Sequence, residues 1–257
     1  MNVLVNGILG HMGREVARLS TEGCRGARLV GGVDPSGTSE EFPVWASFAE
    51  LPASLGISCV VDFSHHSCAP ALLEYAKAAH LPVVVATTGH TEEELAAIRA
   101  AAQEIPVFFS ANMSYGVALL VELAKQTARA MPEADIEIIE KHHNRKLDAP
   151  SGTALMLADE ICRVREGAYA KTGRSGKAKR EPGEIGIHAV RMGNIVGEHE
   201  VIIGTASQTI TLKHEAHSRA LFAEGALAAA AFLVTCAPGL YDMKSLVEAG
   251  NREAALC

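Results

Sequence analysis

Short apolar runs alternate with amphipathic segments from residue 2 to residue 110 of the chain. The runs are rich in Val, Ile, Leu and Phe, and they predict buried strands at 2–6, 28–33, 58–63, 82–86 and 107–110. Helical spacing of apolar residues predicts helices at 14–21, 69–80 and 91–103. The last of these is predicted to open with a capping box from Thr91 to Glu94. Strands that alternate with helices in this way indicate βαβ units and a parallel sheet that is covered on both faces.

The pattern changes near residue 112. A long helix is predicted at 117–130, an alternating strand at 135–140, and a helix from 151 to about 165. Strands at 184–191, 200–205 and 208–214 follow with no helix between them, which predicts antiparallel pairing through short turns. The Gly-rich basic segment 171–180 is predicted to be an exposed loop. The second region is therefore predicted to be α+β, with an open mixed sheet.

An Ala-rich apolar helix predicted at 219–236 and a closing segment at 240–247 are expected to pack back on the first domain. The predicted organisation is two domains. Residues 1–112 and 220–257 form the first domain, and residues 113–219 form the second.

Composition narrows the class of protein. Hydrophobic residues make up 48% and charged residues 21% of the 257 positions, which is typical of globular proteins. The formal charge of −7 argues against a general binder of nucleic acid or of anionic membranes. No apolar run approaches the roughly 20 residues of a membrane span. We expect neither a nucleic-acid nor a membrane partner.

The N-terminus enters a strand at once and carries no charged n-region, so we expect no signal peptide and a cytoplasmic protein. The six cysteines show no CxxC spacing, and no pair of histidines has convincing metal-ligand spacing. We therefore expect reduced thiols and no metal site. The cysteines are Cys24, Cys59, Cys68, Cys162, Cys236 and Cys257.

A glycine loop follows the first strand and opens the first helix. Gly7 permits a tight turn, Gly10 lets the backbone approach a pyrophosphate, and Gly13 allows close packing of the helix. Asp34 ends the second strand, where a carboxylate can accept hydrogen bonds from an adenosine ribose. The loop predicts dinucleotide binding, and Asp34, which Pro35 follows, favours NAD over NADP. The alternatives are a structural turn and a solvated Asp.

Two further strand ends suit the nicotinamide half of a dinucleotide, because ligands of open parallel sheets bind beyond the carboxyl ends of the strands. These are residues 86–89 and 110–113. Taken alone, each strand end fits an ordinary strand-to-helix turn better than a binding site.

The strongest candidate for a substrate site is the segment 140–153. His142 and His143 adjoin Arg145 and two lysines, and Ser151 begins a helix directly after Pro150. Cationic groups beside free helix N–H donors suit a small anion with carboxylates. The imidazoles and the ammonium groups can also move protons. A solvated charge run fits poorly, because a strand and a capped helix start bound the segment.

This segment resembles the signature of the 4-hydroxy-tetrahydrodipicolinate (dihydrodipicolinate) reductase family of lysine and diaminopimelate biosynthesis. The core of that motif is His-His-x-x-Lys-x-Asp-Ala-Pro-Ser-Gly-Thr-Ala, from His142 to Ala154. The resemblance extends over nearly the whole chain, through residues 7–13, 61–64, 87–89, 111–117, 186–187, 196–199 and 239–243.

The resemblance implies an α/β protein with an N-terminal Rossmann domain, which the C-terminal end rejoins, and a central α+β substrate domain whose sheet builds a homotetramer. It implies NADH- or NADPH-dependent reduction of a cyclic dicarboxylate imine by hydride transfer and then protonation, with His142 and Lys146 as the acid/base pair. It assigns substrate binding to His143, Ser151, Gly152, Thr153 and Thr88. It assigns the cofactor to Gly7, Ile8, Leu9, Gly10, His11, Met12, Asp34, Ala86, Thr87, Thr88, Ser110, Ala111, Asn112 and Met113.

The chain departs from the family pattern where the glycine loop often carries Arg, since His11 stands there. That arginine can help to bind a 2′-phosphate, so the departure favours NADH. Ala86 replaces a common Gly. Two alternatives stay open: an NAD(P)-dependent dehydrogenase of another imino or keto acid, and a non-catalytic dinucleotide sensor.

Overall fold

A computed structural model describes the backbone of residues 1–254 and the side chains of residues 1–251, so the predicted reduced thiol of Cys257 lies outside the described residues. The chain divides into two compact units. One unit comprises Met1–Tyr115 and the segment from Ala220 onward, and the other comprises Gly116–Arg219. In the described part of the chain, no helix has the length and apolar character to cross a membrane.

Twelve strands and seven α-helices follow one another along the described residues. In chain order they are β1 (Asn2–Asn6), α1 (His11–Thr21), β2 (Arg28–Val33), β3 (Val44–Trp45), β4 (Cys59–Asp62), α2 (Ala69–Ala78), β5 (Val83–Val85), α3 (Glu92–Ala101), β6 (Pro106–Phe109), α4 (Tyr115–Ala130), β7 (Asp135–His142), α5 (Gly152–Cys162), β8 (Tyr169–Thr172), β9 (Glu184–Arg191), β10 (Gly197–Gly204), β11 (Thr209–Ala216), α6 (Ala220–Leu233), β12 (Gly239–Tyr241) and α7 (Met243–Ala254).

The first unit contains a seven-stranded sheet in the order β3–β2–β1–β4–β5–β6–β12, and every pairing in it is parallel. This is the doubly wound order, extended by β12. The predicted parallel sheet is confirmed. The short strands β3 and β12 were not predicted, because two or three residues carry no readable period.

Two of the helix starts follow the local rules read from the sequence. Thr91 and Glu94 form the predicted capping box at the start of α3, with each side chain accepting from the other's backbone N–H. Ser151 is the N-cap of α5, and its hydroxyl accepts from the N–H of Ala154 at 3.3 Å. Both predicted caps are confirmed.

The second unit contains a five-stranded mixed sheet in the order β11–β10–β7–β9–β8. β10 is antiparallel to both β11 and β7, whereas β9 is parallel to β7 and to β8. The open mixed sheet is confirmed, but the prediction that β9 pairs antiparallel with the strand after it is wrong. β7 lies between β9 and β10, where the buried Ile136 and Ile138 gain apolar neighbours on both sides.

The segment 171–180 was predicted to be an exposed loop, which is correct for the exposed residues 173–179 but wrong for the first two residues. Lys171 belongs to β8, and its Nζ lies 2.9 Å from Oε2 of Glu184. Arg174 and Arg180 also pair with Glu184, whose side chain is only 1% exposed. A buried carboxylate on β9 therefore pairs with cations of this basic segment, and no local pattern in the sequence indicates that long-range pairing.

Candidate active site

One face of the second sheet changes from apolar to polar along its strands. On β7 the same alternation that buries Ile136 and Ile138 brings Glu140, and then His142, to that face. On β10, His199 lies opposite Glu140 in the antiparallel register. Arg191 of β9 lies opposite His142 in the parallel register. Strand periodicity alone thus gathers four polar side chains at one end of a hydrophobic core.

The carboxylate of Glu140 is the centre of this polar cluster. It is fully buried and accepts four hydrogen bonds, two on each oxygen. Oε1 accepts from the N–H of Ser151 at 2.9 Å and from Arg191 at 2.7 Å. Oε2 accepts from Nδ1 of His142 at 2.6 Å and from Arg191 at 2.8 Å. Burial alone would raise the pKa of Glu140, but these donors outweigh it and lower the pKa.

Glu140 also determines which nitrogen of the His142 ring carries a proton. Because a carboxylate only accepts, Nδ1 of His142 carries the proton of that hydrogen bond. Nε2 is then the ring nitrogen that is left to exchange a proton. A Cβ at Gly197 would lie 3.1 Å from Nε2, so the absence of a side chain at Gly197 makes room for the imidazole.

Ser151 connects the cluster to the N-terminus of α5. Its Oγ lies 3.1 Å from Nε2 of His199. The imidazole of His199 is 4% exposed, and its ring centroid lies 5.2 Å from that of His142 in an edge-to-face arrangement. Burial is the main reason that the pKa of His199 is lowered to about 4, and the charge of the neighbouring His142 contributes in the same direction. His199 is therefore neutral at pH 7.

The remaining predicted groups lie on the loop between β7 and α5. Lys146 places its Nζ 2.8 Å from Oδ1 of Asp148, and this ion pair lowers the pKa of Asp148. Burial lowers the pKa of His143, and the charge of Arg145 lowers it further. A Cβ at Gly152 would have no neighbour within 4 Å, so the start of α5 is open at that point.

In the first unit, the glycine loop leads into α1 with close backbone packing. Gly7 has a φ of +77°. A Cβ at Gly13 would lie 2.0 Å from the carbonyl oxygen of Gly7, so only glycine lets α1 approach the loop this closely. The N-cap residue of α1 is Gly10, which has no side chain to satisfy the N–H groups of the first turn. An uncapped helix start of this kind fits a pyrophosphate.

Asp34 holds the glycine loop against the end of β2. Its Oδ2 accepts from the N–H of Leu9 at 3.0 Å, and its Oδ1 accepts from the N–H of Ser36 at 3.0 Å and from the Ser36 hydroxyl. Burial opposes ionisation, but these hydrogen bonds prevail and lower the pKa of Asp34. Asp34 is therefore a charged carboxylate that already accepts hydrogen bonds from the glycine loop and from Ser36.

Asp62 plays a comparable part where β1 and β4 meet. Its Oδ1 accepts from Asn6 at 2.8 Å and from Ser64, and its Oδ2 accepts from Thr87 at 2.8 Å. Burial raises the pKa of Asp62 despite these bonds. The hydroxyl of Thr87, a predicted cofactor contact, is thus engaged within the protein.

The other predicted cofactor residues of this unit differ in exposure. The side chains of Ile8, Ala86 and Met113 are buried, whereas Thr88, Ala111 and His11 are exposed. Ser110 is bonded to Asn112, since the N–H of Asn112 donates to its hydroxyl and that hydroxyl donates to the carbonyl of Asn112. Leu9 and Met12 are both half-buried. Of the predicted substrate residues, Thr88 belongs to the first unit and the others to the second.

Three functional candidates had no role assigned from the sequence: Glu140, Arg191 and His199. Each continues a buried strand face, so a polar residue at a core position was the available signal. Within the described residues, no cluster of His, Cys, Asp and Glu could hold a metal ion.

Family models match both parts of the chain. The model described as "Dihydrodipicolinate reductase, N-terminus" matches residues 1–113, and the model for the C-terminus of the same enzyme matches residues 116–247. The chain belongs to the dihydrodipicolinate reductase family. This membership confirms the family, the reductase class with NADH or NADPH as cofactor, and the Rossmann-type first unit that the sequence predicted.

Relatives within this reductase family are similar over nearly the full chain. The 4-hydroxy-tetrahydrodipicolinate reductase of Caldanaerobacter subterraneus subsp. tengcongensis is 46% identical, over 97% of this chain and 99% of its own. That of Alkaliphilus oremlandii is 42% identical, over 96% and 98%. The dipicolinate-bound dihydrodipicolinate reductase of Paenisporosarcina sp. TG-14 superposes with a TM-score of 0.79 at 26% identity, over 94% and 97% of the two chains.

Because His199 is buried in its neutral form, we predict that the free energy of unfolding of this reductase decreases in acid. Its pKa falls from 6.5 to about 4 on folding, so only the unfolded chain binds a proton on this ring between those pH values. The free energy of unfolding therefore falls as pH drops through that window, by about 3 kcal/mol. His199→Gln should remove this loss, as measured by denaturant titration at pH 7 and pH 4.

The matched control is His217→Gln, which replaces an exposed imidazole of the same unit. It should lose as much stability on acidification as the wild type. If the free energy of unfolding of His199→Gln decreased between pH 7 and pH 4 as much as that of the wild type, the neutral buried form of His199 would be contradicted.

Proposed function

We propose that the protein reduces 4-hydroxy-tetrahydrodipicolinate with NADH or NADPH to tetrahydrodipicolinate, through the site formed by the loop after β7 and the N-terminus of α5. The observation that carries this proposal is the joining of His142, Ser151 and Arg191 by one buried carboxylate. The loop and the helix start then form a rigid cationic site, which suits a small substrate with two carboxylates.

The first unit is proposed to hold the cofactor. The uncapped start of α1 would bind the pyrophosphate, and a bound nicotinamide would supply a hydride to the substrate ring. A groove of ≈ 650 Å³ beside Asp34 supports a place for adenine, with Val33, Pro35, Phe48, Cys68, Ala71 and Tyr75 among its lining residues. Thr88 and the turn at 110–113 are proposed to line the nicotinamide half.

A preference for NADH is part of the proposal. Asp34 is ionised and buried, and a fixed negative charge at the end of β2 repels a 2′-phosphate. His11 stands where the family often has arginine, so the loop lacks that arginine as a counter-charge. Ribose hydroxyls, in contrast, can donate to a carboxylate.

The substrate carboxylates are proposed to bind at the start of α5. Ser151, Gly152 and Thr153 open the helix, and the N–H groups of a first helical turn have no acceptor within the helix. Positive helix-end potential favours an anion there. His143 lies on the adjacent loop and is proposed to contact a second carboxylate.

Lys146 and His142 are proposed to manage the proton that the reduced ring requires. Lys146 carries ammonium hydrogens on a half-buried side chain, and Asp148 holds Nζ on the site loop. Lys146 is the proton donor in this scheme. His142, whose Nδ1–H is fixed by Glu140, offers Nε2 to relay a proton or, when protonated, to stabilise the developing negative charge.

The second unit is also proposed to build a homotetramer in the cytoplasm. The face of its sheet opposite the helices carries Ile139 and Ile202, which are only half-buried within one chain. Apolar residues on such a face support burial against another copy.

The reaction is tested by steady-state kinetics on substrate generated in situ by a coupled synthase, with oxidation of either cofactor followed at 340 nm. We expect turnover with both cofactors and a higher kcat/KM with NADH, because Asp34 disfavours the 2′-phosphate. Turnover of another imino or keto acid with none of this substrate would reject the proposed function. Cofactor binding without any turnover would indicate a sensor.

Lys146→Met should lower kcat by at least about a hundredfold, because a positioned general acid contributes about 10²–10⁴-fold. Binding of NADH, measured by fluorescence, should persist. Lys141→Met is the matched control, since Lys141 on β7 pairs with Glu198 at 2.9 Å and has no role in the scheme. A Lys146→Met enzyme with near-normal kcat would reject this role for Lys146.

A further inference from the structure

His199 contacts the cap of α5, although it lies on β10, outside the loop that carries His142 and Lys146. Its Nε2 is 3.1 Å from Oγ of Ser151. Among the described residues, its buried Nδ1 has no hydrogen-bond partner. In the part of the chain that the structure describes, the serine hydroxyl is therefore the only hydrogen-bond partner of the His199 ring.

This single contact assigns the tautomer of His199. A neutral imidazole carries one N–H and one lone pair. With the proton on Nδ1, a buried donor would be left without an acceptor, which folded proteins rarely tolerate. With the proton on Nε2, the donor is satisfied by Oγ of Ser151, and only a lone pair is left unused. The Nε2–H form is therefore the favoured one.

The tautomer in turn fixes the direction of the Ser151 hydroxyl. A serine hydroxyl has one hydrogen to donate and two lone pairs to accept with. Here Oγ accepts from the N–H of Ala154 and from Nε2–H of His199. Both lone pairs are then used, and the hydroxyl hydrogen has to be donated elsewhere. Ser151 is the N-cap residue, so a carboxylate bound at the start of α5 would be an acceptor for this hydrogen.

We propose that His199 is a positioning residue, which turns the hydroxyl hydrogen of Ser151 toward a substrate carboxylate at the N-terminus of α5. The inference rests on the proposed function, because that function places a carboxylate at this point. Without the N–H of His199, the hydroxyl of Ser151 would be free to rotate, and its hydrogen bond to the carboxylate would lose its preset direction.

His199 lies at the end of β10 that is nearest to the candidate site, where the buried face of the strand changes from apolar to polar. Val201 and Ile203 continue the same face of β10 and are fully buried in the core. His199 is the first polar residue beyond them, and in the register it faces Glu140 on one side and His214 on the other. The titratable groups around it are His142, Glu140, His214 and Lys146. Burial does most to keep the ring neutral, the three cationic or titratable bases act in the same direction, and only the charge of Glu140 opposes them.

The test is a double-mutant cycle on the affinity for dipicolinate, a planar dicarboxylate, measured by calorimetry on the full-length enzyme with NADH present. His199→Met should weaken dipicolinate binding about 10-fold and raise the KM of the substrate to match, since the hydrogen bond from Ser151 to a charged group loses its preset direction. Its kcat should stay within about threefold. Ser151→Ala should weaken binding by a similar factor, and His199→Met should then add nothing further.

His199→Gln is the conservative variant, because the amide of Gln places an N–H near the position of Nε2. It should restore dipicolinate binding to within about threefold of the wild type. Multiplicative effects of the two substitutions, or a Gln variant no better than the Met variant, would overturn the positioning role. Unchanged affinity in His199→Met would overturn it as well.

The two proposals fail in distinguishable ways. If the wild-type enzyme turns over the substrate but dipicolinate affinity does not depend on His199, only the positioning role is rejected. If the wild type shows no turnover with either cofactor while the cycle shows coupling between His199 and Ser151, the proposed reaction is rejected and the positioning of Ser151 toward a carboxylate is supported.

Discussion

The polar cluster of the second unit depends on the buried carboxylate of Glu140. A carboxylate has about four sites for accepting hydrogen bonds, and all four are used here, by the guanidinium of Arg191, by His142 and by the N–H of Ser151. A buried charge of this kind is costly unless it is fully paired. Because each partner comes from a different strand or from a helix start, satisfying Glu140 also fixes the relative positions of β7, β9 and α5.

A buried carboxyl group also joins chain segments at the carboxyl end of the parallel sheet in the first unit. Asp62 is buried and joins Asn6, Ser64 and Thr87, so one carboxylate fixes the ends of three chain segments. Asp34 in turn holds the glycine loop through the N–H of Leu9. In both units, buried or half-buried carboxylates set the geometry of loops in which the backbone and small side chains are proposed to bind anions.

Local signals in the sequence predicted most of the elements. Apolar periodicity located β1 and β2 to the residue, and side-chain chemistry located the caps Thr91 and Ser151. What could not be predicted is which strands become neighbours. The position of β7 between β9 and β10 follows from packing over long sequence distances, which neither turn length nor periodicity encodes.

The candidate site was predictable only in part for the same reason. His142, Lys146 and Ser151 are close in sequence, so one loop revealed them together. Arg191 and His199 come from strands that follow much later, and their roles became visible only through the register that places them beside Glu140 and His142. A polar residue in a buried strand position was a signal that something accepts or donates there, but it did not identify the partner.

The most direct measurement of the central role of Glu140 is kcat/KM for Glu140→Gln at saturating NADH. The amide keeps the size of the side chain but removes the charge and half of the acceptor sites, so His142 and Arg191 lose their common anchor. We expect kcat/KM to fall at least about a hundredfold, with NADH still bound by the folded enzyme. A variant whose kcat/KM stays within a few-fold of the wild type would contradict the account.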